Sequence, residues 1–537
     1  MREVLRAPYY LRLAFNYTAA GAALPQAAGN DLRLRLWTER VAPSKGLPAG
    51  LAARRRVAFD EVCYARTERF AQFVEAPNDA EAIASLVQDA VLATDATGRV
   101  APAHDVLEDW SLYFRVEREV RGAEREWGAL FSKLGSHAGM RRALRIWTAQ
   151  RSAEGDGDAY ALLEAALRQD PTIPQLWRDE VAIGLLRSER VEELVVKLGS
   201  SVSFDNASLL QRLSHLLRVA CKGPTSIDYS SLADDPGNKE VMQRLAMTAP
   251  VGKAWDVVVG LVAKAFPSMP PECNAWVVQL AEDATSHDEN WHKPTQRVRD
   301  VFNMAEHFCL HDQESWYREQ SVGRRFYALM CRCSGADPAR FKTFMETLLE
   351  RLAANPDSRD VYSEERLEFL VNVKNCRETS FFTPDVVWKV FWALYTELDP
   401  KVDRYFGMSG WEAELGLSAR AAHEFFPPSV LQGPFRSLLL YAWPKSVRFV
   451  VDLCNHAATS FARTSANEVS IVPPGQSPNG RPHIHDFRLW AAYRGHSVTS
   501  YILNAALMAL EERLLIEAEV QPKVITQVLE FILKLGE

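Results

Sequence analysis

The chain has no G-x-x-x-x-G-K-[ST] loop, so its 537 residues lack the backbone cradle and lysine with which a P-loop enzyme holds nucleotide phosphates. It is poor in cysteine. The eight residues (Cys63, Cys221, Cys273, Cys309, Cys331, Cys333, Cys376 and Cys454) follow no framework spacing, which excludes a disulfide-stapled secreted scaffold and predicts free, mostly buried thiols in a reducing cytoplasm. No apolar run approaches the roughly 20 residues of a membrane-spanning helix, and a soluble protein without membrane contact is expected. Arg2 and Arg6 ahead of residues 11–23 imitate a targeting peptide, but Arg12 and Asn16 break the stretch and fit an amphipathic helix. Positive charge is not in excess: 62 Lys and Arg stand against 69 Asp and Glu, a net charge of -7, which speaks against a surface built to neutralise nucleic-acid phosphates. A nucleophile elbow is missing too, since Gly407-Met408-Ser409-Gly410 is not G-x-S-x-G and no strand precedes it.

What is present is helical periodicity. Hydrophobic residues make up 47% of the chain, enough for sizeable cores, and length alone suggests about three or four domains. Leu, Ala, Val and Trp recur at three-to-four-residue spacing in one segment after another, so the fold is expected to be mainly α. Two segments depart from this pattern. A helix over 80–88 leads to apolar runs at 90–94 and 99–103 around the turn Asp95-Ala96-Thr97-Gly98, followed by a helix starting near His104-Asp105. Helix, two-stranded wing and helix is the outline of a winged-helix domain. The second departure is 468–490, read as a β-hairpin insert with an exposed tip over 473–480.

Between them, residues 159–186 have the cadence of a tetratricopeptide-like helix pair, in which small residues let two helices approach and Asp170-Pro171 stops the first. Further pairs are expected at 255–284, 326–352 and 365–398, without a strict period. The fold class is therefore a winged-helix domain followed by an irregular TPR/HEAT-like α-solenoid with a small β-hairpin insert. Such an array offers an extended surface for another macromolecule. Linkers are expected at 44–50, 151–158 and 224–239.

The first 120 or so residues resemble the end of the nucleotide-binding module of STAND NTPases, the class of NOD-like receptors and bacterial antiviral, AVAST-like ATPases. Residues 1–13 (MREVLRAPYYLRL) look like the helix after the sensor strand, and 31–41 (DLRLRLWTERV) like the next helical element. Residues 406–439 and 507–515 (LMALEERLL) are similar to the C-terminal sensor region of large antiphage STAND proteins. The Walker B acid and sensor arginine are missing along with the phosphate loop, and both ends look like cuts through a longer ancestral chain. The resemblance implies four parts: a helical lid remnant over 1–60, a winged helix over 61–120, a helical-repeat array over 121–405 and a helical sensor with the hairpin insert over 406–537. It also implies that His104 contacts the β-phosphate of ADP, with ATP or ADP bound only when a missing nucleotide-binding partner supplies the rest.

Other polar clusters have plainer readings. His307 and His311 share a helix face at a metal-friendly spacing, with Cys331 and Cys333 as sulfur candidates, but two histidines on a wet face account for the pattern. His483, His485 and Asp486 superficially resemble a metal-dependent hydrolase, yet no further ligand follows at the needed spacing. The basic runs 54–56 and 141–145 suggest nucleic acid, but the helix before the wing carries Asp79, Glu81 and Asp89 and no Lys or Arg, which leaves those runs as solvated faces or interdomain contacts. Most of the 14 tryptophans are expected in cores.

Taken together, the sequence predicts a cytoplasmic, non-enzymatic recognition or regulatory part of a STAND-type system of bacterial antiphage defence. Its expected partners are a target protein, phage-derived in that setting, and a P-loop ATPase subunit. The alternative is a freestanding helical-repeat scaffold without a nucleotide link.

Overall fold

The computed structural model describes residues 29–224, 248–286, 292–311, 320–354, 361–396, 410–418, 425–464 and 500–535, apart from 44, 49, 373–374 and 426. It also describes residues 12 and 15 and the strands 470–472 and 483–485. These residues are mainly helical and divide into two compact units, 1–265 and 266–537.

The N-terminal unit begins with α1 (Gly29–Val41), α2 (Leu51–Arg69) and α3 (Ala80–Gln88), then β1 (Leu92–Thr94) and β2 (Val100–Pro102). Asp79 starts α3 by accepting the Ala82 N–H at 3.1 Å. The β1–β2 turn forms because Asp95 accepts the N–H groups of Thr97 (2.9 Å) and Arg99 (3.0 Å), while Gly98 takes the positive φ of 83° that a Cβ would resist. Strand register pairs Leu92 with Pro102 and Thr94 with Val100, and Val74 adds a bridge on the far side of Val100. Helix, hairpin and helix follow in the expected order.

Next come α4 (Asp105–Gly122), α5 (Trp127–Leu134), α6 (Ala138–Glu154), α7 (Gly157–Leu167), α8 (Gln175–Leu186), α9 (Val191–Leu198), α10 (Ala207–Ala220) and α11 (Ala254–Ala265). Helices α4, α6, α8, α10 and α11 stack in that order, and α5, α7 and α9 each pack against members of this stack, an arrangement consistent with an α-solenoid. Trp110, Tyr113, Trp147, Leu162 and Trp255 are buried in this unit. The expected linker at 151–158 is instead a tight turn. Helix α6 runs to Glu154, Gly155 closes it in the left-handed conformation at φ 84°, and Asp156 immediately caps α7. A second hairpin, β3 (Lys222–Pro224) with β4 (Thr248–Pro250), was not foreseen because 224 onward reads as Pro-rich turn chemistry.

The C-terminal unit contains α12 (Asn274–Thr285), α13 (Gln296–His311), α14 (Gln320–Arg332), α15 (Pro338–Ala354), α16 (Val361–Val371), α17 (Cys376–Phe382), α18 (Pro384–Tyr395), α19 (Gly410–Glu414), α20 (Phe435–Tyr441) and α21 (Val447–Thr464). The strands β5 (Ser470–Val472) and β6 (His483–His485) pair antiparallel as expected, and α22 (Tyr501–Val520) and α23 (Pro522–Leu535) pack on each other and on α21. The pair expected over 255–284 does not hold: its two helices fall in different units, α11 packing on α10 and α12 on α13 and α14. Residues 365–398 hold three helices, because Pro384 has no N–H to continue α17 and begins α18 at its first position.

Residues 1–11, the hairpin tip 473–480 and parts of the 406–439 resemblance lie outside the described residues. Among the described residues no helix is long and apolar enough to cross a membrane.

Candidate functional site

Helix α4 carries both an apolar stripe and a buried acid. Leu107, Trp110, Tyr113, Val116 and Val120 face inward, and so does Glu108, only 1% exposed. A carboxylate in that position needs compensating charge. It has two sources: Arg66 of α2 at 2.8 Å and Arg142 of α6 at 3.4 Å. Arg142 also holds Asp109 at 2.7 Å. Gly139 lets α6 come this close, for a Cβ there would lie 2.8 Å from Leu112 and 3.1 Å from Glu108. Burial pushes the carboxyls of Glu108 and Asp109 upward against the pull of Arg66 and Arg142.

The pattern repeats one helix on. Glu180 of α8, 3% exposed, lies between Arg141 at 3.0 Å and Arg145, both on α6. Asp179 on the same helix accepts from Arg212 Nε of α10 at 2.7 Å. Successive helices of the stack are thus joined by arginine-clamped acids as well as by apolar contact.

On the hairpin side, Trp37 of α1 donates its indole N–H to the Leu107 carbonyl at 2.8 Å. Arg55 is fully buried and donates to the Val41 carbonyl (3.0 Å), Ser85 (2.9 Å) and Asp89 (2.6 Å), tying α1, α2 and α3 together. Arg54 takes Asp79 and Glu81. Within the basic run 54–56, Arg54 stays exposed while pairing with the acids of α3, Arg55 is buried, and Arg56 lies over Trp37 and Phe114, so the run serves contacts between elements rather than only a solvated face.

His104 is exposed and caps α4, its Nδ1 accepting the Val106 N–H at 3.2 Å. His137 caps α6 in the same way, accepting from Gly139 N–H at 3.1 Å. Burial first, then the guanidiniums of Arg66 and Arg142, hold the His137 imidazole below its ordinary value.

The remaining candidates stay apart. His307 and His311 stack at 4.3 Å on α13, and His311 Nδ1 meets the His307 carbonyl at 2.9 Å, while Cys331 and Cys333 are buried. His483 and His485 lie on β6, and Asp486 is outside the described residues. Among the described residues no group of three or more His, Cys, Asp or Glu is arranged to hold a metal ion. The sequence reading missed Glu108 and Glu180, whose one signal is an acid inside an apolar helical stripe.

Neither a family model nor a curated protein matches the chain.

Proposed function

We propose that the chain is the target-recognition and regulatory part of a STAND-type ATPase system, acting in the cytoplasm in bacterial antiphage defence and binding a partner protein through its helical array. The observation that supports this reading is the double membership of α4. One face of α4 packs on α1, α2 and β2, and the same helix is the first member of the stack α4, α6, α8, α10, α11. In this reading 61–120 is a winged-helix domain, and displacement of the stack by a bound target is carried to it through Glu108, which is held from both sides at once. Such relays need an element with two arrangements, and a buried acid shared by two arginines on different helices supplies alternative pairings.

This chain's residues do not by themselves fit a nucleotide. His104 brings one exposed imidazole, and no phosphate loop accompanies it. The phosphate-binding groups in this proposal belong to a separate polypeptide, and the chain itself is not an enzyme.

The test is affinity capture of the tagged chain from its native host, with and without phage infection, read by mass spectrometry. The expected result is recovery of a protein carrying a phosphate-binding loop. Recovery of no ATPase in either condition sinks the STAND reading and leaves the second one, a freestanding protein-binding scaffold. That second reading is favoured by one observation: capping α4 is a sufficient structural role for His104.

A further inference from the structure

We draw no further inference here: the strongest candidate, the surface patch of exposed apolar side chains that Leu515, Ile516 and Val520 of α22 and Leu529 of α23 form on the last helical hairpin, is an unpartnered apolar face, and nothing among the described residues shows what covers it.

Discussion

His137 shows how a single side chain couples the junction to pH. It caps α6 only while Nδ1 is unprotonated, and burial with Arg66 and Arg142 depresses its pKa below 6.5, Asp105 pulling the other way. A histidine depressed in the folded state contributes stability above its unfolded value and loses it as pH falls through the folded one. Glu108 and Asp109 act in the opposite sense. Their raised pKa values give stability that is full below the ordinary carboxylate range, about pH 4, and is lost as pH rises through the folded values. His137→Asn keeps a capping side chain and removes the titration, so the melting temperature of the variant is expected to fall less than that of the parent between about pH 7 and about pH 5. Identical slopes would show that His137 is not the group responsible. The helix start at His104-Asp105 was legible because capping chemistry is local. Glu108 was not: an acid beside Leu107 reads as a solvent-facing residue until Arg66 and Arg142, 42 and 34 positions away, are brought to it.

Between helices, glycine placement decides how closely they approach. A Cβ at Gly184 of α8 would lie 2.7 Å from Thr148 Cβ and 3.1 Å from the Arg145 carbonyl of α6, neither of which can swing away. Gly184→Ala is therefore expected to destabilise the N-terminal unit by about 1–3 kcal/mol, read as a lower urea midpoint. Gly157 at the start of α7 has nothing within 4 Å, and Gly157→Ala is expected to be neutral or mildly stabilising, by no more than about 1 kcal/mol. Equal effects at the two sites would contradict the close-packing account. Small residues over 159–186 do signal a close approach: α7 and α8 pack on each other as the expected pair, and α8 lies also on α6, where Gly184 meets Thr148, a neighbour that spacing within one segment does not reveal. Hairpins were legible where a turn residue has a mechanism, as at Asp95 and Gly98, and missed at β3–β4, whose strands are 23 residues apart in sequence with a proline closing the first.

Each of the two units buries its own apolar residues, Trp110, Trp147 and Trp255 in the first and Phe302, Tyr327 and Phe391 in the second. Thermal unfolding is expected to show more than one transition. Glu108→Ala, which removes the carboxylate from Arg66 and leaves Arg142 with Asp109 alone, is expected to lower only one of them, at a cost of about 3 kcal/mol; a uniform downward shift of every transition would argue against independent cores. The division after Ala265 was not legible, because α11 and α12 read as one helical hairpin by composition. The paired glutamates have a further consequence. Helices with generic apolar faces can dock in many wrong orders, and fat contact alone scarcely distinguishes them. If α8 settled beside α10 without α6 in place, Glu180 would enter the interior with no counter-ion from Arg141 or Arg145. Charge thereby sorts the neighbours, and a misassembled stack is rejected by an unanswered carboxylate before its greasy surfaces can lock it in.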